Sequence, residues 1–476
     1  MVLGTDAKEI LDEKKRSLAQ DTLLVFKEMY LRTGQEIALS EDIKILPDPV
    51  QSGEIVSIVE VEENITEWKL SNGVTLYLHT LPDSEDNVYV YSGSRGGLAS
   101  LPPALRAAAR MLPTTYLSSG LAGLTNAELK RLMSAKQVYV QPYVEENQHY
   151  FAGESPANAL PTLLSVIHHA YQNATFNKRA YEQVRAQMTL EQSRYAESNL
   201  GKSQLAMDAR FYTTDSVRAL LSPESYANTQ LNDIESAYQA LFQVNREMAY
   251  LVAGNITVED FKPLVRRYVA GVSLKKAAPA VKYDVGYRSA SDNITIAHAG
   301  HQTNNLWLVT TLISPVNVKS AKDGLLAEMT RSIMTGRLIK AFRESTGFDY
   351  TPSANIEWPD GANQMALTLT TQAPVIKRKQ AKQTLDAILN AMRGSISEAE
   401  YVTAKEQLST KLKINANKPK IRTQLLFNDA LFRSDLLNID AQQDTLKDLT
   451  LEELQQFMYQ FTSGDITRFN VTNLPN

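Results

Sequence analysis

Hydrophobic positions along the chain switch between two periods, and the switches follow an order that occurs twice. TEWKL (66–70) and VTLYLHT (74–80) flank Asn72-Gly73 and predict a hairpin with a two-residue turn. NVYVYSGS (87–94) predicts a further strand, followed by a helix around 104–112. Thr125-Asn126-Ala127-Glu128 has capping-box spacing and predicts a helix start. QVYVQPYVEENQHYFAGES (137–155) alternates as two strands. Ser155-Pro156 then predicts a cap and a first-turn proline for a helix running to about 173. Helices are expected over 177–196, 201–244 and 257–270, with the strand MAYLVAG (248–254) before the last.

The programme then restarts. NITIAHAG (293–300) and LWLVTTLIS (306–314) are expected strands, and 320–344 an expected helix. IEWPDGANQMALTLTTQ (356–372) predicts a hairpin turned at Asp360-Gly361. Helices are expected at about 376–393 and 397–415, the second opened by the box Ser397 to Glu400. A helix begun by Thr450 and Glu453 leads into a closing strand, ITRFNVT (466–472). Two copies of one element order, each about 200 residues, are an internal repeat. The expected class is α+β: two tandem antiparallel-rich sheets, each covered on one face by helices. Residues 6–33 read as an amphipathic helix, with Leu11, Leu18, Phe26, Met29 and Tyr30 at helical spacing. Residues 34–66 are polar, acidic and interrupted by Pro47, Pro49 and Gly53, and read as a linker. The expected division is 1–65 (helix and linker), 66–278 (first α/β domain) and 279–476 (second α/β domain).

Composition removes whole classes of function. A net charge of -4, from 49 Lys+Arg against 53 Asp+Glu, lacks the basic field of a nucleic-acid binder. Zero cysteines exclude disulfides, thiolate zinc sites, iron–sulfur clusters and a cysteine nucleophile. No stretch has the ~18 consecutive apolar residues of a membrane-spanning helix. The N-terminal twenty residues have no apolar signal core.

The search for chemistry is mostly negative. None of the six histidines (His79, His149, His168, His169, His298, His301) forms an i, i+4 pair around a glutamate. His168 and His169 are adjacent, so on a helix they point ~100° apart and cannot readily share one ion. His298 and His301 flank Gly300 at a strand end, with no third ligand visible. Gly153-Glu154-Ser155 lacks the second glycine of a nucleophile elbow. Gly93 to Gly97 lacks the Lys-Ser/Thr of a phosphate loop and reads as a tight loop.

Three segments nevertheless resemble one family. LSNGVTLYLHT (70–80) resembles the opening strand pair of the M16 zinc metallopeptidases, the pitrilysin and insulysin group. MAYLVAGNITVEDFKPLVRRYV (248–269) resembles the strand–glycine–helix piece that closes a domain there. FRESTGFDYTPSA (342–354) resembles the family's second-half motif, usually Leu-Arg-Glu-Lys-x-Gly-x-x-Tyr. The similarity runs over about 66–476 and is to the C-terminal, non-catalytic half of bacterial members that carry four repeated domains in one chain.

The resemblance implies the M16/LuxS-like metallohydrolase fold, with the zinc motif His-x-x-Glu-His in the other half. The matching helix here reads Arg106-Ala107-Ala108-Ala109-Arg110. Arginine has no lone pair for a metal and alanine cannot act as a base. Glu191 falls near the family's third-ligand position, without its histidines. No metal ligand and no cofactor are therefore expected in this chain, the zinc belonging to the missing catalytic half. Arg343 and Tyr350, seven apart with Gly347 between, match the family's Arg and Tyr. The resemblance gives them catalytic and substrate-binding roles: donors to the substrate backbone and to the developing oxyanion. Ser345, Thr346 and Asp349 depart from the family pattern. The expected partners are a zinc-bearing N-terminal half or partner subunit and a peptide substrate, in the periplasm by family analogy. The alternative is a non-catalytic scaffold or peptide-binding subunit of the same fold.

Overall fold

The computed structural model describes residues 43–475, apart from 83, 85, 277–282, 297–303, 316–319, 359–361, 363, 393, 395, 433–438 and 464–465. The helix expected over 6–33, His298, His301 and the Asp360-Gly361 turn lie outside the described residues.

Seven strands make the first sheet: β1 (Ile55–Glu62), β2 (Ile65–Leu70), β3 (Thr75–Thr80), β4 (Asn87–Arg95), β5 (Tyr139–Val144), β6 (Gln148–Pro156) and β7 (Ala249–Gly254). Their spatial order is β1-β2-β3-β7-β4-β6-β5. Five more make the second: β8 (Asp292–Ile296), β9 (Asn305–Ser314), β10 (Ser353–Glu357), β11 (Met365–Pro374) and β12 (Thr467–Asn473), in the order β8-β12-β9-β11-β10. In both sheets the closing strand of the repeat lies between its first and second strands. It runs parallel to the first (β3 with β7, β8 with β12) and antiparallel to the second. The five-strand order is thus the same in the two copies, and each sheet is antiparallel except for that one pair.

Local chemistry explains most boundaries. Side chains of Thr125, Ser397 and Thr450 accept from the backbone N–H three residues on, and Glu128, Glu400 and Glu453 return the bond. The hairpin at Asn72-Gly73 is one residue longer than a two-residue turn, because Leu70 pairs with Val74 (N–H to O 3.0 Å). Gly73 alone adopts positive φ (78°), as three-residue loops require. Asn72 instead spends its side chain on the carbonyls of Val269 and Val272. Ser155 is not a helix cap: it is buried within β6, which runs through to Pro156. The stretch expected as linker contributes β1, an edge strand with Val56, Val59 and Val61 exposed, and Leu46 joins the main core.

On one face of the first sheet lie α1 (Arg106–Ser119), α2 (Leu160–Gln172) and α3 (Leu231–Phe242), which bury Ala108, Leu163, Ile167 and Leu241 against Trp68, Leu76 and Val90. A corresponding layer from α4 (Ala321–Leu338) and α5 (Glu398–Ala416) covers the second sheet. The opposite faces are covered by exchange. Helix α6 (Pro419–Phe432), from the second repeat, sets Leu426, Phe427 and Leu431 on Tyr91, Tyr150 and Leu251 of the first sheet. Helix α7 (Asn199–Phe211), from the first repeat, sets Met207 and Phe211 on Ile294, Val471 and Phe469 of the second. The Phe211 and Phe469 rings stack at 4.3 Å. Ile45–Asn476 is one compact body for this reason.

Candidate functional site

Helix α4 does not stop at Leu338. It continues through a wide turn, Ile339–Ser345, that ends beside Gly347, whose φ is +64°. Buried Phe342 anchors this end, and its carbonyl accepts from the N–H groups of Phe348 (2.8 Å) and Asp349 (3.2 Å). Ser345 Oγ donates to the Lys340 carbonyl at 2.7 Å, and Thr346 Oγ1 donates to those of Ala341 and Phe342 at 3.1 Å. The two hydroxyls thus satisfy the last carbonyls of the helix. Asp349 is buried, and its carboxylate accepts from Thr351 N–H (3.0 Å) and Gln372 N–H (2.9 Å), tying the loop to β11. The three departures from the family motif are therefore the residues that stiffen the loop.

That loop brings Arg343 and Tyr350 together. The Arg343 guanidinium carbon lies 4.2 Å from the centroid of the Tyr350 ring, a cation–π contact. Tyr350 is 74 % exposed, three residues before the edge strand β10. Among the described residues Arg343 makes no ion pair or hydrogen bond, so its guanidinium is available to an acceptor.

The degenerate helix is occupied by other tasks. Arg106 Nη1 donates to the Asp215 carbonyl at 2.8 Å, and Arg110 Nη2 donates to that of Val217 at 3.0 Å. Ala107, Ala108 and Ala109 are buried in the core. Glu191 is exposed on the helix Lys178–Glu197 and accepts from Gln187 Nε2 at 2.9 Å. Two cationic groups and a solvated carboxylate do not fit zinc, whose ligands are neutral imidazole, carboxylate or thiolate. Among the described residues no three His, Asp or Glu side chains gather as metal donors.

Three of the described histidines are held inside the fold. His168 Nδ1 meets the Tyr268 carbonyl at 3.0 Å and His169 Nε2 that of Pro47 at 2.7 Å, with the two rings at 90°. His149 is wholly buried against Phe242, and desolvation lowers its pKa to about 3.

A partly buried cluster escaped the sequence reading. Arg218, with its side chain 15 % exposed, donates Nε to both oxygens of Glu146 (2.9 Å each). Its Nη1 donates to Tyr287 Oη (3.0 Å) and Glu357 (2.8 Å). Tyr283 Oη donates to Glu146 at 2.5 Å. Glu146 belongs to the first repeat and Glu357 to the second, so the guanidinium bridges them. Burial, and then these carboxylates, raise the phenol pKa values of Tyr283 and Tyr287.

Residues 228–408 match the family described as Peptidase M16 inactive domain. That match spans less than half of the chain. It is 20% identical over 459 residues to the probable zinc protease PqqL of Escherichia coli, covering 94% of this chain and 47% of that protein. The crystal structure of the periplasmic protease PqqL from Escherichia coli superposes with a TM-score of 0.81 at 16% identity, over 95% of this chain and 50% of that one. The first half of PqqL, solved separately, gives 0.70 at 15% identity, over 88% and 94%. This chain thus has the M16 fold and spans about half the length of the curated relatives it matches. Among the described residues no helix is long and apolar enough to cross a membrane.

Proposed function

We propose that this chain is the C-terminal, non-catalytic half of an M16-type zinc endopeptidase, or a separately encoded subunit equivalent to it. It forms one wall of a peptide chamber and offers Arg343 and Tyr350 to the substrate backbone and the tetrahedral intermediate. The observation that carries the reading is the match to the inactive M16 domain combined with a helix that has arginines, bonded to backbone carbonyls, at 106 and 110. The higher TM-score against whole PqqL than against its first half supports the C-terminal assignment. The stacked, exposed Arg343–Tyr350 pair supports the second role, since both groups are hydrogen-bond donors held on a stiff loop. Zinc and the water it activates belong to the partner half, and the complex works in the periplasm, as PqqL does.

Reconstitution with a His-x-x-Glu-His-bearing half tests this. The chain alone should leave peptides intact, and the pair should cleave them. Arg343→Ala in the pair should lower kcat about 10²-fold, the scale of one lost oxyanion donor. Unchanged kinetics would remove Arg343 from the site. A pair that binds peptide without cleaving it would instead favour a scaffold or peptide-binding subunit.

A further inference from the structure

A second recess lies far along the chain from Arg343 and Tyr350, between the edge hairpin β5–β6 and helix α6. Its volume is about 580 Å³, within the range of ligand-binding clefts. Four tyrosines line it: Tyr91, Tyr139, Tyr143 and Tyr150. The Tyr143 and Tyr150 rings stack at 4.8 Å, and Tyr91 lies 6.1 Å from Tyr150. Tyr91 is only 4 % exposed, its hydroxyl has no hydrogen-bond partner among the described residues, and burial pushes its pKa up to about 12. It is a neutral donor and acceptor turned to an otherwise aromatic wall.

Two carboxylates complete the recess. Glu154 is paired with Lys420 at 2.8 Å. Glu145 accepts from Tyr150 Oη at 2.8 Å and from Gln148 Nε2 at 2.6 Å, and no cation neutralises it among the described residues. The recess therefore carries one unbalanced negative charge beside stacked π faces. That combination attracts a cation and repels an anion. The same chemistry is already used at its rim, where Lys420 Nζ sits 5.9 Å from the Tyr139 ring centroid. Beside the recess runs β5, the outermost strand of its sheet. Among the described residues no further strand pairs with its outer side, which is the condition an added peptide strand needs.

We propose that this recess binds the arginine or lysine side chain of an extended peptide lying along β5. The choice of a peptide over a free cation rests on the chamber reading above; the cation specificity does not. Tyr91, Tyr143 and Tyr150 supply the ring faces, and Glu145 supplies the counter-charge.

The test uses the chain alone, so its outcome is separate from that of reconstituted proteolysis. Fluorescein-labelled Gly-Gly-Ser-Arg-Ser-Gly-Gly is titrated by anisotropy beside versions with norleucine or glutamate in place of arginine, with spermidine as competitor. The arginine peptide should bind about tenfold tighter than the norleucine peptide, and the glutamate peptide weakest. Glu145→Gln, which removes the charge but keeps one acceptor oxygen, should lower the arginine peptide's affinity about fivefold. Equal affinity for arginine and norleucine peptides, or no effect of Glu145→Gln, would overturn the proposal. Spermidine competing as strongly as an unlabelled arginine peptide would overturn the assignment to a peptide.

Discussion

Removing the guanidinium at Arg218 tests what joins the two sheets electrostatically. Arg218→Ala deletes two bonds to Glu146, one to Tyr287 and one to Glu357. It leaves the two carboxylates without their cation. Truncating one partner of a buried pair costs about 3–5 kcal/mol. The side chains of Glu146 and Glu357 are 32 % and 46 % exposed, so water recovers part of that and about 2–3 kcal/mol remains. An unfolding entropy of about 2 cal/mol/K per residue makes roughly 0.9 kcal/mol/K for a body of this size, so Tm should fall about 3 °C. Glu357→Gln removes only the tie to the second repeat and should cost about 0.5–1 kcal/mol. Scanning calorimetry on the three proteins gives the answer. One cooperative transition is expected in each, because the exchanged helices still lock the repeats. An Arg218→Ala melting temperature within about 0.5 °C of the parent would refute the account of this cluster.

Three further outcomes follow from named residues. His149 titrates near 3 when folded against 6.5 when unfolded; between those values the unfolded chain binds the extra proton, so stability falls as pH falls. Urea unfolding at pH 7, 6 and 5 should show about 1.4 kcal/mol lost per pH unit below 6.5 relative to His149→Phe, and parallel curves would contradict it. Phe427→Ala empties a fully buried position between α6 and the first sheet and should cost about 3–4 kcal/mol by chemical denaturation; a loss under about 1 kcal/mol would mean the helix lies loosely there. The purified chain, dialysed against zinc and analysed by plasma mass spectrometry, should retain far less than one zinc per chain. Stoichiometric tight zinc would sink the interpretation of Arg106 and Arg110.

What the sequence reveals here is set by how far apart the interacting residues are. The capping boxes at Thr125, Ser397 and Thr450 span three residues each and were legible. Arg343 and Tyr350 stack across only six intervening residues, a local contact. The repeat was legible from element order, yet nothing local says that β7 inserts between β3 and β4. β1 was missed because its valines face outward, which blunts the alternation that marks a half-buried strand. Ser155-Pro156 was misread because a cap-like dipeptide can also end a buried strand. Arg218 was invisible because its partners are 72 and 139 residues away. The three alanines of α1 resembled erosion of a motif; the fold gives them a packing reason as well.

The crossed placement of α6 and α7 has a mechanical consequence. Each sheet's second covering is supplied by the other repeat, so cutting the chain between them would expose an apolar surface on both fragments. The pieces should aggregate rather than fold separately. The body Ile45–Asn476 is therefore expected to move as one unit.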